Sequence, residues 1–452
     1  MIRHLFTFIF TLAIGTCLCQ EPLSLSDAIQ LGLKRNYNIL IEEGNVDIAS
    51  NNNTWGESGR WPSITLNVDQ NNNLTDNVRV AFPTATQGQI FSNSLTPAIN
   101  LNWVMFDGFR VNISKKRLDL LQSESEGNAS IVIANTIQSV ILGYYLAVLE
   151  IKRLEEFKKQ LELSRDRYQY VKVKFELGSA VTTDLLLEEG NYLTDSINYI
   201  NQELLSKNAV RNLNVLLAES DITTQYQFTD SLSLYNDSFE LEDLRGKMLG
   251  ENVDLRRQYL TQSLLGESTS LARADKYPTL SLQAGFSENR NSLDLSEAVF
   301  FTGEGFASGP DQRLNSVTDV YAANFSLSFN LFNGGRINRA IKNAMVNEQI
   351  GQLRIEQLKT SLDRDLQEAF DRYNLRRRLY AINNRRAEAA QVNLDLSKDK
   401  FRNGSINSFD YRDVQNSYLS ASILKLQSIY DLIDSKVELM RLTGGLLRTY
   451  VE

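Results

Sequence analysis

Two stretches decide the fold of this chain because one repeats the other: VKFELGSAVTTDLLLEEGNYL at residues 173–193 and DKFRNGSINSFDYRDVQNSYL at residues 399–419. Aligned without gaps, they place Gly178 opposite Gly404 at an offset of 226, half of the 452-residue chain. Self-similarity at a fixed offset indicates an internal duplication. We therefore expect two copies of one structural unit rather than two or three unrelated domains.

The duplication extends towards the N-terminal end of each half. MFDGFR at 105–110 lines up with LFNGGR at 331–336 at the same offset, whereas WP at 61–62 lines up with YP at 277–278 at an offset of 216. The second copy therefore has ten extra residues between 279 and 321. The expected organisation is a signal peptide at 1–19, a first repeat at 20–219, a linker at 220–238, a second repeat at 239–445 and a tail at 446–452.

The first 19 residues have the layout of a secretory signal. One arginine precedes an apolar run from Leu5 to Ile14, and small residues precede Gln20. This run is too short to span a membrane. We expect cleavage after Cys19, and the alternative is a lipoprotein signal in which Cys17 carries the lipid.

Composition excludes most enzyme classes. The single His and both Cys of the chain lie within the expected signal. The remaining chain therefore cannot form a Ser-His-Asp triad, a Cys nucleophile, a disulfide or a His-ligated zinc site. A net charge of −8 without a basic tract argues against nucleic acid as a partner. We expect no catalytic residue, no metal and no cofactor.

Strands are predicted at about 61–71 and 97–107 in the first repeat, and at about 276–287 and 321–333 in the second, because apolar and polar residues alternate there. A soluble sheet with one wet face would show the same alternation. Aromatic residues on the apolar side, and long polar links at 70–95 and 287–320, favour membrane strands instead. The predicted lipid-facing residues are Ile99, Leu101, Trp103, Phe325, Leu327 and Phe329.

The remaining sequence predicts very long helices. Apolar residues between Ile133 and Leu154, and again between Leu419 and Met440, recur with the 4,3 spacing of a coiled coil. No proline interrupts residues 98–277. A helix from about 110 to 175 would be roughly 100 Å long, which exceeds a compact domain.

Strand number predicts an oligomer. Four strands cannot close a barrel, and an open edge is not tolerated in lipid. Two copies would supply eight strands, whose side chains nearly fill the interior. Three copies would supply twelve strands and leave a pore, so we expect a homotrimer.

These features together resemble the TolC family of outer-membrane efflux channels. The motifs are the duplicated strand pairs, the turns at 105–110 and 331–336, the long heptad helices, and LSLSDAIQLGLKRNYNI at 23–39. The resemblance implies a mainly α fold with four antiparallel strands per chain. In a trimer it implies a twelve-stranded barrel in the outer membrane and an α-helical barrel of duplicated coiled coils in the periplasm.

The same resemblance implies a function for the protein. It would be the exit duct of a tripartite system, docking a periplasmic membrane-fusion adaptor and an inner-membrane pump of the RND, ABC or MFS type. One alternative is the outer-membrane component of type I protein secretion. The other is a soluble periplasmic coiled-coil scaffold, which would need no lipid-facing aromatics.

The resemblance also implies sites at the periplasmic tip. The repeated turns, with Gly178 and Ser179 in one copy and Gly404 and Ser405 in the other, are where the adaptor would dock. A glycine suits the left-handed turn that reverses a coiled coil.

Asp410 and Asp413, one helical turn apart, match the aspartates that ring the constriction of related channels. Their alternative role is that of ordinary acids near a helix N-terminus. In the first repeat we expect Asp184 to serve only in that way, because Leu187 stands opposite Asp413.

Two further sets of residues follow from the same comparison. The strand-to-helix turns are assigned to Gly108, Arg110, Gly334, Gly335 and Arg336. Phe401 and Ile406 stand where related channels carry a Tyr and an Arg that help close the tip. We therefore expect the tip to be held by other contacts.

Overall fold

The computed structural model describes residues 21–79, 86–232, 238–301 and 303–451. The signal peptide predicted at 1–19, with Cys17, lies outside the described residues, as do residues 233–237 of the predicted linker. The described chain is mainly helical with an antiparallel sheet. It divides into a helical unit (21–44, 127–232, 238–256 and 357–451) and a sheet unit (45–79, 86–126, 257–301 and 303–356).

Both halves of the chain contain the same order of elements, except that two short strands and a last short helix are added in the second half. The helices are α1 (Leu25–Arg35), α2 (Tyr37–Asn52), α3 (Arg110–Glu176), α4 (Thr182–Leu216), α5 (Leu241–Glu251), α6 (Val253–Ala274), α7 (Arg336–Arg402), α8 (Ser408–Leu442) and α9 (Gly445–Tyr450). The strands are β1 (Glu21–Leu23), β2 (Ser63–Arg79), β3 (Thr86–Asp107), β4 (Tyr226–Phe228), β5 (Thr279–Asp294), β6 (Ala298–Phe301), β7 (Phe306–Ser308) and β8 (Leu314–Ser328). Helices of 67 and then 35 residues follow the strands in each half.

Four long strands of the sheet unit lie in the order β2-β3-β5-β8, and each neighbouring pair is antiparallel. The short strand β6 pairs with the first three residues of β3, and β7 pairs with β6. The described sheet therefore has six strands, where the sequence predicted four. The extra hairpin lies within the ten-residue excess of the second repeat.

Strand register separates the residues of the sheet into two unlike faces. One row across the four long strands is apolar: Leu66, Ile99, Phe286 and Tyr321. A row on the opposite face is polar: Ser63, Asn102, Gln283 and Asn324. Since side chains alternate between the faces of a strand, the period-two pattern becomes an apolar surface and a polar surface.

The strands extend well beyond the predicted bounds at one end. β2 continues to Arg79 and β3 begins at Thr86, so most of the predicted link at 70–95 is strand. β5 and β8 likewise occupy much of 287–320. The Asn- and Ser-rich composition suggested loops, but cross-strand pairing outweighs the low β-propensity of these residues. At the other end β8 stops at Ser328, before the predicted 333.

The core of the helical unit centres on Tyr144 of α3, which is fully buried. Its hydroxyl donates to the carbonyl of Leu23 at 2.9 Å and lies 3.1 Å from the Asp230 carboxylate. The same carboxylate accepts from the amide of Leu25 at 2.7 Å. Burial raises the pKa of the Tyr144 hydroxyl, which therefore stays a donor. These bonds fix the start of the described chain to the long helix.

By length and composition alone, α3 is the one helix in the described ranges that could cross a membrane. The same test is passed by core helices of soluble proteins. Residues of its apolar stretch, among them Ile137, Val140 and Ala147, are buried in the core around Tyr144. The predicted amphipathic heptad pattern of this stretch accounts for that packing.

We predict that Glu438 makes the helical unit sensitive to acid. Its carboxylate accepts from Arg441 at 2.8 Å and from Gln138 of α3 at 3.0 Å. The bond from Arg441 lowers the pKa of Glu438 below its ordinary value of 4.5. Its stabilisation is therefore complete above that value and lost as the pH falls through the lowered pKa. E438Q should cost about 1 kcal/mol at neutral pH.

The measurement is thermal unfolding followed by circular dichroism between pH 7 and pH 3. The difference between wild type and E438Q should shrink as the pH falls below the ordinary pKa of Glu438. E155Q is the matched control, because Glu155 belongs to an exposed pair with Lys152. A difference that stays constant across this range would contradict the prediction.

Candidate functional site

The first strand-to-helix turn needs a glycine for two reasons. Gly108 has a φ of +71°, and Phe109 follows at +67°, directly before α3 begins at Arg110. A Cβ atom on Gly108 would lie 2.5 Å from the carbonyl oxygen of Ala274. No larger residue fits this position without a shift of the backbone.

The second strand-to-helix turn repeats this conformation with two glycines. Gly334 and Gly335 have φ values of +63° and +75°, and α7 begins at Arg336. Arg110 forms an ion pair with Asp275. Arg110 and Arg336 line the same open cavity of about 380 Å³ in the sheet unit. The predicted turn residues of both repeats therefore lie together.

Both tip turns end their long helix in the same way. Gly178 and Gly404 have φ values of +73° and +72°. The amide of Ser179 donates to the carbonyl of Lys174 at 2.7 Å, and the amide of Ser405 donates to that of Lys400 at 2.8 Å. This six-to-one bond after a left-handed glycine is the Schellman motif, which satisfies carbonyls at a helix end.

Asp410 lies in the first turn of α8, where Asn407 is the N-cap and accepts from the Asp410 amide at 2.8 Å. Asp413 follows one turn later, and both carboxylates are exposed. The opposite side of α8, with Tyr411 and Gln415, is buried in the helical unit. The two aspartates therefore project from the outer side of the bundle formed by one chain.

Exposed small polar residues continue the row of the aspartates along α8. Ser417 and Ser420 follow Asp410 and Asp413 at the 4,3 spacing of one helix face. A polar face of this kind is normally solvated rather than packed against apolar side chains. The geometry is compatible both with a channel lining and with ordinary acids near a helix N-terminus.

Phe401 and Ile406, which replace the Tyr and Arg of related channels, make apolar contacts near the second tip turn. The ring of Phe401 stacks on Tyr411 with centroids 4.9 Å apart and meets Tyr170 of α3 edge-on at 5.6 Å. Ile406 packs beside them, against the cluster that contains Leu394. Aromatic and apolar contacts therefore join α7 and α8 near the second tip turn.

A buried polar network links α3, α4 and α8 above the tips, and the sequence reasoning missed it. Arg167 and Glu188 form an ion pair with both side chains 1% exposed. Arg167 also donates to Gln415, and Ser408 donates to the other Glu188 oxygen. Nearby, Arg412 of α8 donates to Asp195 of α4 at 2.9 Å.

Each buried charge of the network is paired with an opposite charge. Burial lowers the pKa of the Arg167 guanidinium, and the adjacent Glu188 carboxylate opposes that change. A signal existed in the sequence: Gln160, Ser164 and Arg167 follow the 4,3 spacing of a coiled-coil core. Our search for apolar residues alone passed over these polar core positions.

The apolar face of the sheet is exposed over most of its surface. Ile99, Phe325 and Leu327 are exposed, whereas Leu101 and Trp103 are half-buried. Phe329, also predicted to face lipid, is exposed but lies beyond the end of β8. An apolar surface of this extent on a soluble protein marks a contact with lipid or with another protein.

No group of three or more metal-ligating side chains occurs within the described ranges. The chemistry available there consists of apolar and polar surfaces, charged rows and helix ends.

Comparison with known proteins agrees with this geometry. Residues 244–445 match the family model described as outer membrane efflux protein. No curated protein matches the sequence. The resemblance to outer-membrane efflux channels, first seen in the duplicated motifs, is thereby confirmed over residues 244–445, and the description of the family agrees with the predicted location in the outer membrane. The family is one of transport proteins rather than enzymes.

Solved structures show the same fold over nearly the whole chain. The CmeC outer membrane channel of Campylobacter jejuni is 15% identical and has a TM-score of 0.73, covering 93% of this chain and 85% of that one. CusC is 15% identical and has a TM-score of 0.72, covering 93% of this chain and 92% of that one. The open state of the MtrE outer membrane channel of Neisseria gonorrhoeae is 15% identical and has a TM-score of 0.68, covering 94% of this chain and 89% of that one.

We predict that R167M strongly destabilises the helical unit. The substitution leaves the Glu188 carboxylate buried without its cation, which costs about 3–5 kcal/mol. The double variant R167M/E188M removes both charges and should recover most of this loss. Thermal unfolding of detergent-solubilised protein measures both effects.

The matched control is K207M, which breaks the exposed pair with Glu203. Exposed pairs contribute about 0–1 kcal/mol, so K207M should change the unfolding midpoint little. Equal effects of R167M and K207M would show that the buried pair has no special role.

Proposed function

We propose, from the match of residues 244–445 to the outer membrane efflux protein family, that three copies of this chain form the exit duct of an efflux system. Their sheets would join into a barrel in the outer membrane, and their helices would form a tunnel in the periplasm. The single observation that carries the proposal is a two-faced antiparallel sheet with two long unpaired edges.

The sheet edges support a closed ring of copies. β2 pairs only with β3, and β8 pairs only with β5, among the described strands. Their outer backbone groups would be unsatisfied in lipid. Because the four long strands alternate in direction, β8 of one copy can pair antiparallel with β2 of the next. Three copies then give a twelve-stranded barrel with the polar face inside.

Exposed apolar rows on two helices support the same assembly in the helical part. On α4 the row contains Leu193, Ile197, Ile200 and Leu204, which are 53–62% exposed. On α7 it contains Leu375, Leu379 and Ile382, which are 44–63% exposed. A row at this spacing normally packs against another helix. We propose that α4 of one copy meets α7 of the next.

Cysteine crosslinking tests the proposed trimer. Leu204 lies 22 residues after the start of α4, and Ile382 lies 20 residues before the end of α7. The two are thus at similar distances from their tip turns. Oxidation of the double variant L204C/I382C should give covalent products up to three chains, seen by denaturing electrophoresis. No described residue is a native cysteine, so a disulfide crosslink between described residues can come only from the introduced pair.

The single variants L204C and I382C are the controls. A head-to-tail interface joins unlike positions, so each single variant should stay uncrosslinked. Crosslinks that stop at two chains, or single variants that crosslink as well as the double variant, would contradict a cyclic trimer.

Exposed apolar side chains at the tips support docking of an adaptor there. Leu177, which precedes Gly178, is 76% exposed, and Phe409, five residues after Gly404, is 72% exposed. Side chains of this kind are typical of protein contacts. We propose that the turns at Gly178-Ser179 and Gly404-Ser405 receive a periplasmic adaptor, which connects the duct to an inner-membrane pump.

Asp410 and Asp413 are proposed to ring the periplasmic constriction. Their row on α8 is polar and exposed, so in a trimer it can line the tunnel as two rings of three carboxylates. Rings of carboxylates attract cations and repel anions. The proposed tunnel would therefore favour cations at its narrow end.

Planar bilayers test these rings. The variant D410N/D413N should lower the cation-to-anion permeability ratio about fivefold, corresponding to roughly 1 kcal/mol of Coulomb attraction near water. Reversal potentials in a salt gradient measure this ratio. D184N alters the matching position of the first repeat and should leave the ratio unchanged. An unaltered ratio in D410N/D413N would place the constriction elsewhere.

A further inference from the structure

All three tryptophans of the chain lie at one end of the sheet unit. Trp55 and Trp61 belong to the segment between α2 and β2, and Trp103 lies near the end of β3. With Arg60 they form a group that we call the Trp–Arg cluster: Trp55, Arg60, Trp61 and Trp103. Neither the strand-to-helix turns nor the tips use this cluster.

The Arg60 guanidinium contacts two of the indole rings, and the third indole binds the Arg60 backbone. Its guanidinium carbon is 4.5 Å from the centroid of Trp55 and 5.7 Å from that of Trp61. The indole N–H of Trp103 donates to the carbonyl of Arg60 at 3.0 Å. The amide of Arg60 donates in turn to the carbonyl of Trp55 at 3.0 Å. Cation–π contact and two hydrogen bonds thus set the position of the charge.

The segment that carries the cluster is fastened to α3. The Asn53 side chain donates to Asp119 at 3.0 Å and to Gln122 at 2.7 Å. The ammonium of Lys115 donates to the side-chain oxygen Oδ1 of Asn53 at 2.8 Å. Within the segment, Ser58 is buried and donates to the carbonyl of Trp55 at 2.9 Å. The cluster is therefore a built feature and not a set of independent surface side chains.

Arg60 differs from the other basic residues nearby in its charge balance. Lys115 pairs with Asp119, and Lys116 pairs with Glu267. No carboxylate of the described chain forms an ion pair with Arg60, which is exposed. A guanidinium held in place without an anion is a binding group for a carboxylate or phosphate.

The surroundings of the cluster select the phosphate of a lipid. Trp103 lies in the same row as Leu282 and Phe325, on the apolar face of the sheet. The cluster thus continues the apolar face at its helix end. Tryptophan favours the level of lipid headgroups, and arginine extends its charge from apolar surroundings to the interface.

We propose that the Trp–Arg cluster binds the headgroup phosphate of an anionic phospholipid in the periplasmic leaflet. Arg60 contacts the phosphate, and Trp55 and Trp61 flank the glycerol region. The inference rests on the proposed function, since it requires the apolar face of the sheet to lie in a membrane. It adds a lipid site at a defined position on the barrel rim.

The tryptophans themselves supply the experiment, because they are all in or beside the site. The full chain is reconstituted in phosphatidylethanolamine vesicles that contain increasing mole fractions of either acyl-brominated phosphatidylglycerol or acyl-brominated phosphatidylcholine. Bromine on the acyl chains quenches nearby tryptophan fluorescence. The wild type should be quenched at about fivefold lower content of the phosphatidylglycerol, the preference that one cation near an anionic headgroup provides.

R60Q should reduce this preference towards unity, and R60K should retain part of it. K276Q is the matched control: it removes one exposed charge before β5 and outside the Trp–Arg cluster. Circular dichroism and trimer mass of each variant establish that it is folded. An equal loss in K276Q would assign the preference to general charge at the rim and overturn the site.

The remaining outcomes separate the two proposals. Absence of quenching by either brominated lipid would overturn the membrane placement itself, and the proposed function with it. Equal quenching of the wild type by both lipids would leave the membrane placement intact and overturn only the phosphate site. Loss of the preference on adding inorganic phosphate would show a site for free phosphate instead of lipid.

Discussion

The backbone of a strand must form its hydrogen bonds somewhere, and lipid offers none. This constraint governs the sheet unit. The register of β2, β3, β5 and β8 pairs the inner edges of these strands while it sorts apolar and polar side chains to opposite faces. It leaves two outer edges that one chain cannot satisfy. The exposed apolar face and the proposed ring of copies both follow from this incompleteness.

The helical unit meets a different requirement, because long helices satisfy their own backbone and can slide past one another. Its core is apolar around Tyr144 but polar around Arg167 and Glu188. A buried ion pair contributes little net stability, yet a displaced register would leave its charges unpaired. We interpret the network as a device that selects one packing of α3, α4 and α8. Apolar heptads alone would specify that packing less sharply.

Period and repetition were the predictable parts of this fold. Alternation identified the apolar face that carries Ile99 and Phe325, and the offset of 226 identified two equivalent halves. The strand ends near Arg79 and Thr86 were not predictable from Asn-rich sequence, because pairing between strands decides them. The contacts of Arg167 were missed for a related reason. The 4,3 spacing places Arg167 in the core, but its bond to Gln415 spans 248 positions, and no local pattern identifies that partner.

The hairpin of β6 and β7 belongs to the second repeat only, and it contacts β3 over just three residue pairs. Duplication made the two strand pairs of each chain nearly equivalent, and this hairpin removes that equivalence. In a ring of three chains, six similar strand pairs would carry three hairpins. Any molecule that recognises the hairpin would meet three identical epitopes on one rim. A multivalent ligand of matching span would then bind by avidity, even if each single contact were weak.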